Sequence, residues 1–490
     1  MEKQVDVVIV GGGISGLTAA YHLHKKDPSL RVCVLEAKDR VGGRTLTVPL
    51  KSKNGTDYWD LGGQWVSTSQ KDIMNLIKEL GLETYPQYHS GRKFTQVESA
   101  KVKSSRTDVP PLSVFALADL SSLNSKLNKL GKEIDSNDPY RSKKAKELDS
   151  KSVHTLFKES LWTDGAFKFM EVAIRTAIGL EPSQMSALFF LSGVGSAGGV
   201  EAVFGMNESD AQGLKVKGGT QQISQIMANK VGIENVLLDH PVEDVTQDEK
   251  GIRIKCVNGV TVCCERAILA MPPTATSKIS FNPPLSRERL EIERWIMKGN
   301  TTKVIITYQE AFWRSHGQSG EALTYGGPTD VAGCDVGPLS GVMDASTPSG
   351  NPALVMFVAA DQAIQWSKQD AEVRKGAVLR SLTDIFGPEA ENCLDYIEQD
   401  WSNEPFIDGA IAGVATGGMK YYASGLRQPQ GRLHFAGTES AIDWSAYMSG
   451  GVQAGVRAAT EILYHLRPDT ISDQELLGTA CVSSYRPKHN

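Results

Sequence analysis

The sequence predicts an α/β fold in two domains, and three observations carry that expectation. A β-branched run, "VDVVIV", ends in Gly11, Gly13 and Gly16 and passes directly into a helical pattern, "ISGLTAAYHLHKK". A second strand-like run, "RVCVLEA", closes on Glu36, 20 residues after Gly16. The chain is 490 residues long, enough for more than one core at ~150 residues per domain.

Taken in order, "VDVVIV" reads as a strand buried on both faces of a parallel sheet. Gly11 permits a tight turn, Gly13 lets a pyrophosphate approach the backbone, and Gly16 lets helix pack on strand. Ile14 and Ser15 open the helix, whose free N–H groups and positive end suit phosphates. Leu17, Ala20, Tyr21 and Leu23 recur near helical spacing. Glu36, followed by Ala37, ends the second strand where an acid can accept both hydroxyls of a ribose. A lone glycine turn would be compatible with a structural bend. Strand, glycines, helix, strand and acid in this register predict a dinucleotide site.

FAD and NAD share that fingerprint, and the next residues separate them. "DRVGGRT" places Arg40 and Arg44 around Gly42 and Gly43, where a guanidinium can reach the same pyrophosphate. This stretch resembles the FAD signature of the flavin-containing amine oxidase superfamily. "DLGGQW", holding Gly62, Gly63, Gln64 and Trp65, resembles the family's next block, whose glycine backbone passes close to the flavin. "RLHFAGTES", with Gly437 and Glu439, and "WSAYMSGGVQAGVRAATEIL", with Tyr447 and Met448, resemble its C-terminal flavin block. There Val452, Val456, Ala459, Leu463 and Leu466 line one face of a helix whose N-terminus would stabilise an anionic reduced flavin by ~1 kcal/mol. A plain amphipathic helix explains that stripe but not Gly450 and Gly451, each costing ~1 kcal/mol in a helix. The intervening runs "LKVKGGTQQISQIM", "AILAMPP", "TKVIITYQEAFW" and "QDWSNEPF" stand in family order, and the likeness is greatest to the monoamine oxidases.

The resemblance implies a discontinuous FAD-binding Rossmann-like (glutathione-reductase-like) domain at 4–84, 217–292 and 404–466. An α+β substrate-binding domain would occupy 85–216 and 293–403, with a polar tail at 467–490. By the same resemblance, the backbone of Val242 contacts the adenine, and Lys303 reaches flavin N5 through a water. Burial would lower the Lys303 pKa. From its residues alone, a solvent-facing lysine in an alternating strand competes with that role. Tyr447 matches one wall of the family's aromatic cage, which favours a neutral amine. Trp65 and Trp401 fall near the ring and cavity or serve in packing, Phe204 gates the cavity, and Gln212 touches substrate. Two departures stand out in "FIDGAI": Ala410 replaces the flavin-linking cysteine, so FAD should be noncovalent, and Ile411 replaces the second cage aromatic.

The resulting expectation is an FAD-dependent amine oxidase. It takes a small-molecule amine to an imine, which water hydrolyses to an aldehyde, while O2 becomes H2O2. Polyamine and L-amino-acid oxidases are rivals; the latter need an arginine clamp, for which Arg175 and Arg314 are available but unplaced by any motif. A flavin-binding protein that has lost oxidase activity is a further alternative. A nicotinamide reductase would need a second glycine fingerprint, and none occurs. A net charge of −5 offers no footprint for nucleic acid. Seven scattered cysteines form no disulfide framework and no metal-ligand spacing, which fits a reducing, cytoplasmic setting. No signal peptide, no ~18-residue apolar run and no C-terminal apolar helix are visible, so a soluble protein without a membrane anchor is expected. A homodimer is left open.

Overall fold

The computed structural model describes residues 2–97, 101–477 and 479, so nearly all of the expected tail beyond Leu477 lies outside the described residues. Val7–Val10 forms the middle strand of a five-stranded, wholly parallel sheet. Its order is 236–237, 32–35, 7–10, 266–269 and 433–435, so strands from distant parts of the chain share one sheet. That is the discontinuity the resemblance implies. All four side chains of Val7–Val10 are buried, as the β-branched run requires of a strand covered on both faces.

Two helices cover this sheet. Ile14–Lys26 starts immediately after the glycine turn, and Met448–Leu466 lies across it. The crossing is close: a Cβ on Gly455 would overlap the carbonyl oxygen of Ser15. The second helix differs from the one-faced stripe predicted for it. Ala454, Ala458 and Ile462 are as buried as Ala459 and Leu463, because the sheet, the first helix and the helix Lys71–Glu79 enclose it. Its polar residues pair internally, Arg457 with Glu461 at 2.9 Å and Glu461 with His434 at 2.8 Å.

Strands 242–247, 252–256 and 261–264 form antiparallel hairpins turning at "DEKG" and "NG", and belong to a second, mixed five-stranded sheet. A third sheet of seven strands runs 393–400, 301–308, 353–359, 341–344, 318–324, 92–96 and 103–105. Every residue of Thr301–Tyr308 is buried. Val304 and Ile306 pack under the helix Ala371–Phe386, while Ile305 faces Trp59 and Val355. Lys303 therefore has no solvent side to turn to. Helices Val114–Lys132, Asp164–Ile178 and Ala187–Ala197 build a further core around Leu123, Leu127, Met170 and Leu191. Among the described residues no helix is long and apolar enough to cross a membrane.

Gly455→Ala tests the helix crossing. On an exposed helix this change stabilises by ~1 kcal/mol, but here the added methyl meets Ser15 backbone, and overpacking costs ~1–3 kcal/mol. The urea midpoint should fall; a rise would show that the helices part freely.

Candidate active site

The C-terminal ends of the parallel strands open onto a cavity of about 1400 Å³, where α/β sheets place their ligands. The glycine turn supplies one wall through Gly11, Gly13, Ile14 and Ser15. Glu36, Ala37, Gly42, Gly43, Arg44 and Val242 also border it. Gly11 adopts φ +108°, and a Cβ there would stand 2.5 Å from the Ala270 carbonyl oxygen. Gly16 lies behind the wall, where a Cβ would overlap the Gly11 carbonyl. Gly13 is different: its nearest neighbour to an added Cβ is 3.8 Å away. Protein packing leaves room there, so the bare backbone faces space that a ligand can fill. Gly63 is similarly open, meeting only Met448 at 3.8 Å.

Glu36 accepts from the backbone N–H of Gly12 at 2.6 Å and of Lys38 at 2.9 Å, which holds the turn shut. Burial raises its pKa against those hydrogen bonds. The two arginines separate in role. Arg44 borders the cavity and pairs with Glu439 at 2.6 Å. Arg40 instead donates to the carbonyls of Gly43 and Thr45 at 3.1 Å each and does not border the cavity, so it braces the loop from behind. Glu439 also sits behind the wall, its Oε2 buried without a partner.

Gly62, Gln64, Trp65, Trp401, Gly437 and Met448 line the same cavity. Trp401 is pinned through Nε1 to the Leu61 carbonyl at 2.9 Å. Lys303 is 3% exposed and donates to Gly62 O at 2.8 Å and Gln64 Oε1 at 2.6 Å. Its ammonium stands 5.3 Å from the Trp65 ring centre and 5.9 Å from that of Phe357. Burial lowers its pKa to about 7, against the pull of Asp60. Asp60 is itself held by Thr47 Oγ1 at 2.6 Å and Thr220 N–H at 2.9 Å.

Tyr447 caps the N-terminus of the helix Met448–Leu466, borders the cavity, and burial pushes its pKa up to about 12. Trp444 meets it edge-on, with ring centres 5.0 Å apart. Trp444 and Ala446 have φ of +51° and +69°, and Phe406 and Asp408, near the cavity on the "FIDGAI" turn, have +65° and +60°. Such conformations cost ~1–3 kcal/mol each and persist where packing dictates them. Ala410, Ile411, Phe204 and Gln212 complete this part of the wall, and Gln212 Oε1 is buried without a partner. Arg175 and Arg314 stand outside the cavity, each engaged by a carboxylate: Glu181 at 2.8 and 2.9 Å, Asp344 at 2.7 and 2.8 Å.

Sequence reasoning missed Phe357, Glu321 and Trp444, which all line the cavity. The first two reach it through strand register, for which a single sequence carries no signal. Trp444 was within sight, as an aromatic three residues before Tyr447.

Residues 14–463 match the family of flavin containing amine oxidoreductases. The chain belongs to the flavin-containing amine oxidase family. Its relatives include a probable flavin-containing monoamine oxidase A of Dictyostelium discoideum, 34% identical over 464 residues, 94% of this chain and 98% of its own length. Flavin-containing amine oxidase A of Equus caballus is 36% identical over 462 residues, 94% of this chain and 85% of its own. Wild-type putrescine oxidase bound to putrescine matches with a TM-score of 0.85 at 30% identity, over 94% of this chain and 100% of that one. Cyclohexylamine oxidase from Brevibacterium oxydans matches with a TM-score of 0.85 at 30% identity, over 94% and 99%. This amine oxidase is thus an FAD-dependent oxidoreductase acting on amines. The open approaches at Gly13 and Gly63 and the cation of Arg44 fit an extended, anionic dinucleotide.

Lys303 makes stability depend on pH with a definite sign. Folding holds it near 7 rather than 10.5, so between those values the unfolded chain binds the extra proton and stability rises with pH. Lys215, lowered to about 8, acts in the same sense. Lys303→Met should therefore flatten the rise in urea midpoint from pH 7 towards 10.5; an unchanged slope would contradict a desolvated ammonium.

Proposed function

We propose that this oxidase holds FAD noncovalently in the 1400 Å³ cavity and oxidises amines bound between Tyr447 and Ile411. The observation that carries the reading is that Lys303, Tyr447 and the open glycine backbone at Gly13 border one cavity. In this reading Gly11, Gly13, Ile14, Ser15, Glu36, Ala37, Gly42, Gly43, Arg44 and Val242 hold the dinucleotide. Gly62–Trp65, Trp401, Gly437, Tyr447 and Met448 hold the ring end, with Gly16, Arg40 and Glu439 supporting from behind. The FAD-binding domain comprises 4–84, 217–292 and 404–466, and the substrate domain 85–216 and 293–403.

Bound there, FAD supplies a two-electron acceptor that O2 returns to its starting state. The chain's own residues do the rest. Tyr447, neutral at all ordinary pH, and Ile411 present apolar surface that desolvates the amine and selects its uncharged form. Lys303, near its midpoint at neutral pH, holds or releases a proton at Nζ. The rings of Trp65 and Phe357, 5.3 and 5.9 Å from that nitrogen, shield it. The sum is R–CH2–NH2 + O2 + H2O → R–CHO + NH3 + H2O2. Ala410 offers no thiol for a thioether, which supports noncovalent binding. Acid precipitation should leave the yellow colour in the supernatant; flavin in the pellet would contradict this.

Glu321 favours a second substrate class, amines with a distal cation. Lys303, Phe357, Gly341 and Leu323 sit opposite one another on four adjacent strands, so Leu323 is about 14 Å from Lys303 at the usual strand spacing. Glu321 follows on the same side, borders the cavity, pairs with Lys93 at 3.0 Å and leaves Oε1 buried without a partner. The putrescine oxidase that this chain resembles is bound to putrescine, a diamine, whereas both arginines suited to an amino-acid clamp are engaged elsewhere. Burial puts the Glu321 pKa at about 7, so preference for diamines over benzylamine should strengthen as pH rises through 7. Glu321→Gln should raise KM for long diamines at least ~10-fold and abolish that pH trend. Equal KM for both classes would remove this second reading.

A further inference from the structure

Behind Gln64 lies a second cavity of about 260 Å³. Its inner wall is Asp60, Gln64, Tyr85 and Lys215, and its rim is the exposed trio Tyr58, Lys217 and Ser349. Gln64 borders both this chamber and the main cavity. Its Oε1 accepts from Lys303 while its Nε2 is buried without a partner. A partition meant only to seal the site would be apolar. This one carries an amide whose unpaired N–H groups cost ~1–3 kcal/mol unless a water meets them, and a polar chamber of this size is where such a water resides. On its far side Lys215, 5% exposed, lies 5.0 Å from the Tyr85 ring centre and 3.5 Å from the Asp344 carbonyl oxygen.

We propose that this chamber is a water-filled port through which Lys303 exchanges protons with solvent independently of the substrate cavity, Gln64 forming the partition and Lys215 the neighbouring cation. The inference rests on the amine-oxidase reading of Lys303. In the exchange, the Nζ–H bond breaks as an O–H bond forms on a chamber water that takes the place of Gln64. That water passes its excess proton outward to bulk solvent at the rim, and uptake is the reverse. The charged groups facing Lys303 are Asp60 and Lys215, and those facing Lys215 are Asp344, Arg314 and Asp60. Asp57 and Lys217 stand towards the rim. Such a port lets a proton reach the lysine while substrate or product still fills the other side.

The test uses FAD-loaded enzyme and needs no turnover. In Lys215→Cys, methyl methanethiosulfonate should modify Cys at 215, located by peptide mass. The rate should change less than ~2-fold when the main cavity is saturated with cumylamine, an amine with no α-hydrogen to lose, and fall at least ~10-fold when Ser349→Trp fills the rim. Protection by cumylamine, or no modification of the folded enzyme, overturns the port. In the native-Lys215 background, the pH midpoint of the flavin absorbance change should rise about one unit in Lys215→Met and stay in place in Lys215→Arg, since only the former removes a cation from beside Lys303. An unmoved midpoint in Lys215→Met overturns the role of Lys215. A holoenzyme that passes both but oxidises no amine would end the proposed function and leave the port. Turnover with a sealed chamber would end the port alone.

Discussion

One ammonium held out of water constrains the rest of this structure. Lys303 occupies the middle of a strand covered on both faces, where an unpaired cation would cost several kcal/mol. Gly62 O, Gln64 Oε1, the faces of Trp65 and Phe357 and the nearby Asp60 together make the position tolerable. Those partners come mainly from the single segment "DLGGQW", so the segment must lie flat beneath the lysine. That requirement explains why Gly62 bears no side chain: a Cβ would run into Arg44 and Leu46 backbone. The same packing sets Arg44 at the cavity edge, joining the lysine to the glycine turn through a few residues.

Glycines in this protein divide by what stands opposite them. At Gly16, Gly62, Gly450 and Gly455 an added Cβ would strike backbone, so the protein itself demands the bare position. At Gly13, Gly63 and Gly451 the nearest atoms are 3.8 Å away, and nothing in the chain requires glycine. The second group lines the cavity. The helix glycines that no amphipathic stripe explained thus have two reasons: Gly450 for the Trp444 carbonyl, and Gly451 for space. Folding and ligand approach are encoded by the same residue type at neighbouring positions.

Much of the parallel-sheet half was legible because its determinants are local. The β-branched run, the turn glycines and the helix start at Ile14 are consecutive, and each restricts backbone by itself. The strands around "DEKG" and "NG" were readable for the same reason. Lys303 and Tyr447 were reached only through family resemblance. The burial of Lys303 depends on the "DLGGQW" segment about 240 residues earlier and on Phe357 of the neighbouring strand, which no local pattern reveals. Phe357 and Glu321 depend on strand register in a sheet assembled from separate segments. Arg40 was expected at the pyrophosphate and turns to carbonyls instead, since residues alone do not say which of two arginines faces inward. The all-round burial of the closing helix had the same origin: three elements enclose it, each distant in sequence.

The account stands on a flavin ring lying between Lys303 and Tyr447. A crystal structure of the enzyme with FAD measures this most directly. It should show the ring over Gly62 and Gly63, its N5 edge within one water of Lys303 Nζ, and Tyr447 on the substrate side. Density for the ring outside the shared cavity, or Lys303 turned away from it, would contradict the account.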